Sequence, residues 1–152
     1  LELYQAYGNY ETMMELTEGL IVACVDALGP PGADGRRVIP FGDKTVDLTP
    51  PFQRAGYGEL FRTHVGCDMR DEAAVRAAAR AEGVNPDGKA HDVLVQELFE
   101  DLVEEKLVGP VFVYDYPASL CPLTKRKRAD PAVAERFELY VHGMELANAY
   151  TE

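Results

Sequence analysis

Residues Glu135–Glu152 read ERFELYVHGMELANAYTE, and the reading of the fold starts from them. Phe137, Leu139 and Val141 alternate with Glu138 and Tyr140, the period-two pattern of a half-buried strand. His142-Gly143 supplies a two-residue turn, with glycine where a positive φ is easiest. The chain resumes at Met144. Toward its end Asn148, Tyr150 and Glu152 project to one side, and Ala147, Ala149 and Thr151 to the other. This predicts a β-hairpin whose second strand carries an amide, a phenol and a carboxylate in register. By residue type alone that row is a solvated face, but the same three groups can hold an ammonium ion.

Working outward, VFVYDY (Val111–Tyr116) is a β-rich run that Pro117 ends. Leu1–Tyr7 (LELYQAY) also alternates, with Glu2 and Tyr4 on one face, and predicts a strand. Asn9 is a candidate helix cap, with Thr12 the second candidate. Met13, Met14, Leu16, Thr17, Leu20, Ile21 and Cys24 then recur at helical spacing up to Gly29-Pro30-Pro31, and this stripe predicts core packing. Arg37–Ile39 and Thr45–Leu48 predict a short hairpin around Gly42-Asp43-Lys44.

The middle predicts three helices. They cover Gly56–Val65, Asp71–Glu82 with acids in its first turn and arginines later, and His91–Leu107 with an amphipathic period. The expected architecture is α+β: a mostly antiparallel sheet of the Leu1, Val111 and Glu135–Glu152 strands, flanked by helices.

The 152 residues allow one domain with a real core, and 47% hydrophobic with 27% charged content is globular. A net charge of −11 argues against non-specific nucleic-acid binding by this chain. Lys125-Arg126-Lys127-Arg128 is the exception, and reads as a solvated basic loop more readily than as a phosphate-facing patch. Cys24, Cys67 and Cys121 are odd in number and widely spaced, which fits reduced thiols in a cytosolic protein. His64, His91 and His142 show no ligand spacing. No apolar run approaches the ~20 residues of a membrane span. The chain opens at Leu1 and stops at Glu152 inside predicted strands, so an excised piece of a larger protein is expected.

Three blocks, in order, resemble the catalytic core of class II lysyl-tRNA synthetases. LELYQAYGNYETMMELTE (1–18) is similar to the segment after that family's second motif. VFVYDYPASLCPLTKRKRADP (111–131) is similar to its strand, DYP and SPLAK-basic stretch, with Cys121 where many members have Ser. ERFELYVHGMELANAYTE is similar to its ERFEL, glycine turn and E-hydrophobic-A/G-N-A/G-aromatic-S/T-E pattern. The blocks cover about half of the chain.

The resemblance implies a single partial catalytic domain over residues 1–152, between the family's second and third motifs, with the class II antiparallel sheet. It implies ATP- and Mg²⁺-dependent activation of lysine to lysyl-adenylate and transfer to tRNA, in a cytoplasmic homodimer. On matching positions, Glu2, Tyr4, Asn148, Tyr150 and Glu152 would bind lysine, and Glu138 and Glu145 would hold Mg²⁺ against the ATP phosphates. The chemistry suits the roles. Two ammonium groups call for anionic acceptors, and Mg²⁺ takes one or two carboxylates plus phosphate oxygens and water.

One point strains. Pairing Val141 with Met144 places Glu138 and Glu145 diagonally on one face. Strict alternation then puts Glu145 opposite to Asn148, Tyr150 and Glu152, so a β-bulge near Leu146-Ala147 is expected. The family's ATP-binding arginines, its dimer-forming first motif and its anticodon-binding barrel find no match, so the chain alone is expected to be inactive. Two alternatives are a lysine ligase acting on elongation factor P and a non-catalytic acidic interaction domain using the helices of 56–107. The opening block and SLCPLTKRKR favour the tRNA enzyme over the former.

Overall fold

The closing hairpin forms as its alternation requires, and it makes half of the main sheet. In the computed structural model, which describes residues 1–152, the elements run α1 (Tyr10–Leu28), β1 (Val38–Phe41), β2 (Lys44–Asp47), β3 (Gln53–Gly56), α2 (Tyr57–Val65), α3 (Glu72–Ala81), α4 (His91–Leu102), β4 (Val111–Pro117), β5 (Val133–Val141) and β6 (Met144–Tyr150). The main sheet has the order β3-β4-β5-β6, parallel between β3 and β4 and antiparallel elsewhere; β1 and β2 form a separate hairpin. Both residues of the β5–β6 turn, His142 at φ 50° and Gly143 at φ 72°, are left-handed, the geometry that matches strand twist.

The first predicted strand is absent. Leu1–Tyr7 has no ladder partner, and Leu1, Leu3, Tyr4 and Tyr7 are exposed. Alternation sets which way side chains point but supplies no hydrogen-bonding neighbour, and Tyr7 at φ 61° turns the chain into α1 instead. The sheet's other end is filled by β3, a four-residue strand too short and polar to show a period. It also takes Gly56, so α2 starts one residue late, on Tyr57. The last predicted helix stops at Leu102, and Glu104–Lys106 forms a separate 3₁₀ turn.

Helix α1 begins with a reciprocal cap. The Asn9 side chain accepts from Thr12 N–H, and Thr12 Oγ1 accepts from Asn9 N–H, both at 3.0 Å. The predicted stripe is wider than the buried side: Met14 is buried and Met13 and Ile21 pack against the same layer, joined by Tyr10 and Val25, whereas Leu16, Leu20 and Cys24 face water. Glu18 reaches across to accept from Phe52 N–H at 2.6 Å, tying the helix to the entry of β3.

Two apolar layers sandwich the sheet. On one face Tyr10, Met14 and Val25 pack with Phe112, Phe137, Leu139 and Val141; on the other α2–α4 pack on Val111, Val113, Tyr116 and Tyr140. Tyr57 stacks on Phe99 at 3.9 Å and tilts against Tyr116 at 4.9 Å. The helix layer therefore covers one end of a sheet face and leaves the rest of that face to the polar residues of β5 and β6.

Candidate active site

The β5–β6 register decides which side chains share that face. Val141 opposes Met144 and Tyr140 opposes Glu145, but Leu139 opposes Ala147, leaving Leu146 as the extra residue. The bulge falls near Leu146-Ala147, where the resemblance led one to be expected. Beyond it Glu138 opposes Asn148, and Arg136 opposes Tyr150. Arg136, Glu138, Tyr140, Glu145, Asn148 and Tyr150 thus line one face, while Phe137, Leu139, Val141, Ala147 and Ala149 turn to the α1 layer. Asn148 Nδ2 donates to Glu145 Oε1 at 2.6 Å, a bond that a regular ladder would forbid.

Glu138 is the hub of this face and is 7% exposed. Its Oε1 accepts from Arg136 Nη2, and its Oε2 accepts from Tyr116 OH at 2.7 Å and Tyr140 OH at 2.6 Å. Three donors therefore satisfy a buried charge that would be costly alone. Burial disfavours the Arg136 charge, but the Cys121 thiol and Glu138 carboxylate outweigh it and raise its pKa. Burial first, and then the Glu138 charge, push the Tyr116 phenol well up.

Tyr140 OH also lies 2.9 Å from Glu104 Oε1. A phenol has one proton to give, so two carboxylates converging on it favour a second proton. Glu104 accordingly sits above the ordinary carboxylate range: burial raises it most, the Tyr140 bond opposes, and Glu100, Glu138 and Glu145 add to the rise.

Two cavities flank Arg136. One of about 110 Å³ is lined by Tyr57, Glu100, Glu104, Tyr116 and Glu138 among others. The other, about 180 Å³, is lined by Cys121, Thr124, Asn148 and Tyr150 among others. An acid-rich compartment and an amide–phenol compartment thus meet at one guanidinium.

Of the residues expected to bind an amino acid, Asn148 and Tyr150 share the second cavity. Glu152 is exposed just past the end of β6, and its neighbour Thr151 is anchored. Thr151 Oγ1 accepts from Tyr10 N–H at 2.9 Å, and its backbone bonds Glu135 and Lys125. Glu2 and Tyr4 are not on a paired strand; they lie on the exposed opening segment, where Tyr4 OH donates to Glu2 Oε1 at 2.6 Å. That bond first, then the Glu2 charge and more weakly Tyr150 and Glu152, raise the Tyr4 phenol, so the segment runs within electrostatic reach of the end of β6.

Magnesium suits the hard oxygens of Glu138 and Glu145, and the two carboxylates share a face. Glu145 is exposed and keeps one oxygen open, whereas both oxygens of Glu138 are engaged by Arg136 and the two phenols. A metal at Glu138 would compete with Arg136 for Oε1 and with the two phenols for Oε2. No group of three His, Cys, Asp or Glu is gathered as a ready metal cage.

The sequence reading missed Arg136, Tyr140, Tyr116 and Glu104. The first two were legible, since Arg136, Glu138 and Tyr140 follow one another at period two. Tyr116 was hidden by an irregularity in β4, and Glu104 lies 34 residues from Glu138 with no local signal. The basic run is not simply solvated either. Lys125, Arg126 and Arg128 are exposed, but Lys127 is half-buried and paired with Asp115.

The family model of "tRNA synthetases class II (D, K and N)" matches residues 1–152. Among curated relatives, the lysine–tRNA ligase of Pelotomaculum thermopropionicum is 41% identical over 160 residues, that of Thermotoga maritima 39% over 154, and that of Campylobacter jejuni 37% over 156. Each alignment takes in 100% of this chain and 30% of the relative, so the chain spans about a third of their length. No helix is long and apolar enough to cross a membrane. The match over all of its residues, and the similarity to these ligases, make this chain a member of the class II tRNA synthetases of the D, K and N group.

Proposed function

We propose that the chain is part of the catalytic core of a lysine–tRNA ligase, lying between the second and third motifs of the class II fold. The reading is carried by the Leu146 bulge, which sets Glu145 beside Asn148 and on the same face as Glu138 and Tyr150. In it, Asn148, Tyr150 and Glu152 receive lysine from one side and Glu2 and Tyr4 from the opening segment. Amide and phenol bond the substrate directionally, and the carboxylates take its ammonium groups. Glu145, with Glu138 once released from Arg136, would hold Mg²⁺, which supplies charge stabilisation for adenylyl transfer from ATP. The names of the relatives support lysine as amino acid and tRNA as acceptor. A cytoplasmic homodimer belongs to the same reading.

The test is lysine-dependent ATP–pyrophosphate exchange, followed by transfer to tRNA, in a family-length protein carrying this sequence. Glu152→Gln removes a charge-assisted bond of about 1.5–3 kcal/mol, so the KM for lysine rises roughly tenfold to a hundredfold. Exchange with other amino acids in preference to lysine, or transfer to elongation factor P rather than tRNA, overturns the assignment. The 152-residue chain alone is expected to give no exchange, because Arg136, the one cation lining the cavities, is already paired with Glu138. A rate near that of the longer protein refutes that part.

A further inference from the structure

Tyr114 and Tyr116 stand two residues apart in β4, so an even pleat would send both rings to one face. They go to opposite faces: Tyr114 packs against the α1 layer and Tyr116 lies within the helix layer. The reversal occurs at Asp115, where φ is 64° and the β4–β5 register shifts between Tyr114 and Tyr116. A non-glycine residue holds such a backbone only where its surroundings fix it, and aspartate is among the few side chains that tolerate it.

The fixing groups come from two separate elements. Lys127 Nζ donates to Asp115 Oδ2 at 2.5 Å, and Tyr10 OH donates to Oδ1 at 3.0 Å. Tyr10 opens α1; Lys127 belongs to the loop after β4, and its N–H bonds Val133 O at 2.8 Å. The ammonium also lies 5.8 and 6.0 Å from the Tyr10 and Tyr114 ring centroids, so it is held from several sides. Lys127 and Tyr10 lie away from the hydrogen bonds of Glu138. Their effect is nevertheless to decide where Tyr116 OH ends up.

We propose that Asp115, clamped by Lys127 and Tyr10, is a positioning residue for the candidate active site: one left-handed residue in β4 turns the Tyr116 hydroxyl through the sheet and onto Glu138. The catalytic consequence rests on the ligase reading above; the structural consequence does not. Removal of the clamp lets β4 relax toward an even pleat, and Glu138 loses the 2.7 Å bond from Tyr116.

Two measurements on the family-length protein separate these parts. Nitration by tetranitromethane, mapped by peptide mass spectrometry, reads the exposure of Tyr116 and needs no activity; Tyr140, 3% exposed on β5, is the internal reference. Tyr116 is expected to be protected in the parent and in Lys127→Arg, and to react in Asp115→Ala and Lys127→Met while Tyr140 stays protected. Where Tyr140 reacts as well, the variant has unfolded and Lys127→Gln replaces it. In lysine-dependent exchange, Lys127→Met and Tyr116→Phe each lower kcat about tenfold with little change in the KM for lysine, and the double variant falls no further. Protection of Tyr116 in every clamp variant, or losses that multiply in the double variant, overturn the proposal. A parent with no lysine-dependent exchange overturns the ligase reading, and the nitration pattern still decides the clamp.

Discussion

Replacing Arg136 with methionine tests whether Glu138 is held by its network or merely sits near it. The substitution keeps an unbranched stem and removes the guanidinium. Glu138, with its side chain 9% exposed, then retains only the two phenol donors at 2.7 and 2.6 Å. Breaking a buried ion pair costs about 3–5 kcal/mol, and the 25% exposure of Arg136 together with the surviving phenol bonds argues for about 3. Arg136 Nε is buried without a partner, so its removal returns about 1 kcal/mol of desolvation penalty. The net expectation is a loss of about 2 kcal/mol, or a Tm lower by roughly 4–8 °C for a chain of this size. Urea unfolding followed by far-UV circular dichroism measures it, as one arm of a double-mutant cycle. Arg136→Met/Glu138→Gln leaves no unpaired charge and should cost about 1 kcal/mol or less, well short of the sum of the single losses. A single variant within about 0.5 kcal/mol of the parent, or a double variant costing the full sum, refutes the reasoning.

Three further expectations follow from other parts of the structure. Glu104 has its folded pKa raised, chiefly by burial, so its stabilising contribution is complete below the ordinary carboxylate value and fades as pH rises through the folded value. Glu104→Gln should therefore gain stability relative to the parent between pH 4.5 and pH 7.5; a constant difference in urea midpoint across that window contradicts the account. Gly143→Ala places a Cβ 3.4 Å from Glu104 O and Glu105 Cα at φ 72°, and a loss of about 1–2 kcal/mol by thermal unfolding is expected. Asn9→Ala removes the acceptor for Thr12 N–H and should cost about 1 kcal/mol, with faster amide exchange confined to the first turn of α1; unchanged exchange there would deny the cap its role.

What the sequence told and what it hid divide along a physical line. The β5–β6 hairpin was legible because period two and a glycine turn fixed register and turn, and the role that the resemblance implies for Glu145 called for the bulge. Asn9 was legible because a cap acts within three residues. The opening strand was not, because a ladder needs a partner and alternation says nothing about one. β3 was too short for any period, and its parallel neighbour β4 lies 58 residues ahead in register. Lys127 looked like one more solvated cation because its partner, Asp115, faces it only after a left-handed residue reverses β4. The α1 stripe was legible in Met13, Met14 and Ile21, which meet the sheet layer with Tyr10 and Val25, and too wide at Leu16 and Leu20, because apolar residue type alone does not mark where the sheet ends.

The extra residue at Leu146 has a genetic consequence. Its side chain is 52% exposed, so substitutions there should be tolerated freely. Loss of the codon would spare the pocket as well: Ala147 would then follow Glu145, and the pairs Leu139–Ala147, Glu138–Asn148 and Arg136–Tyr150 would continue as an even ladder with the same side chains on the same faces. Loss of a second residue is another matter. With no spare position left to absorb it, every later residue would move by half a pleat, delivering Asn148 and Tyr150 into the greasy layer under α1. The interval between the His142-Gly143 turn and the pocket thus carries a tolerance of one residue and no more.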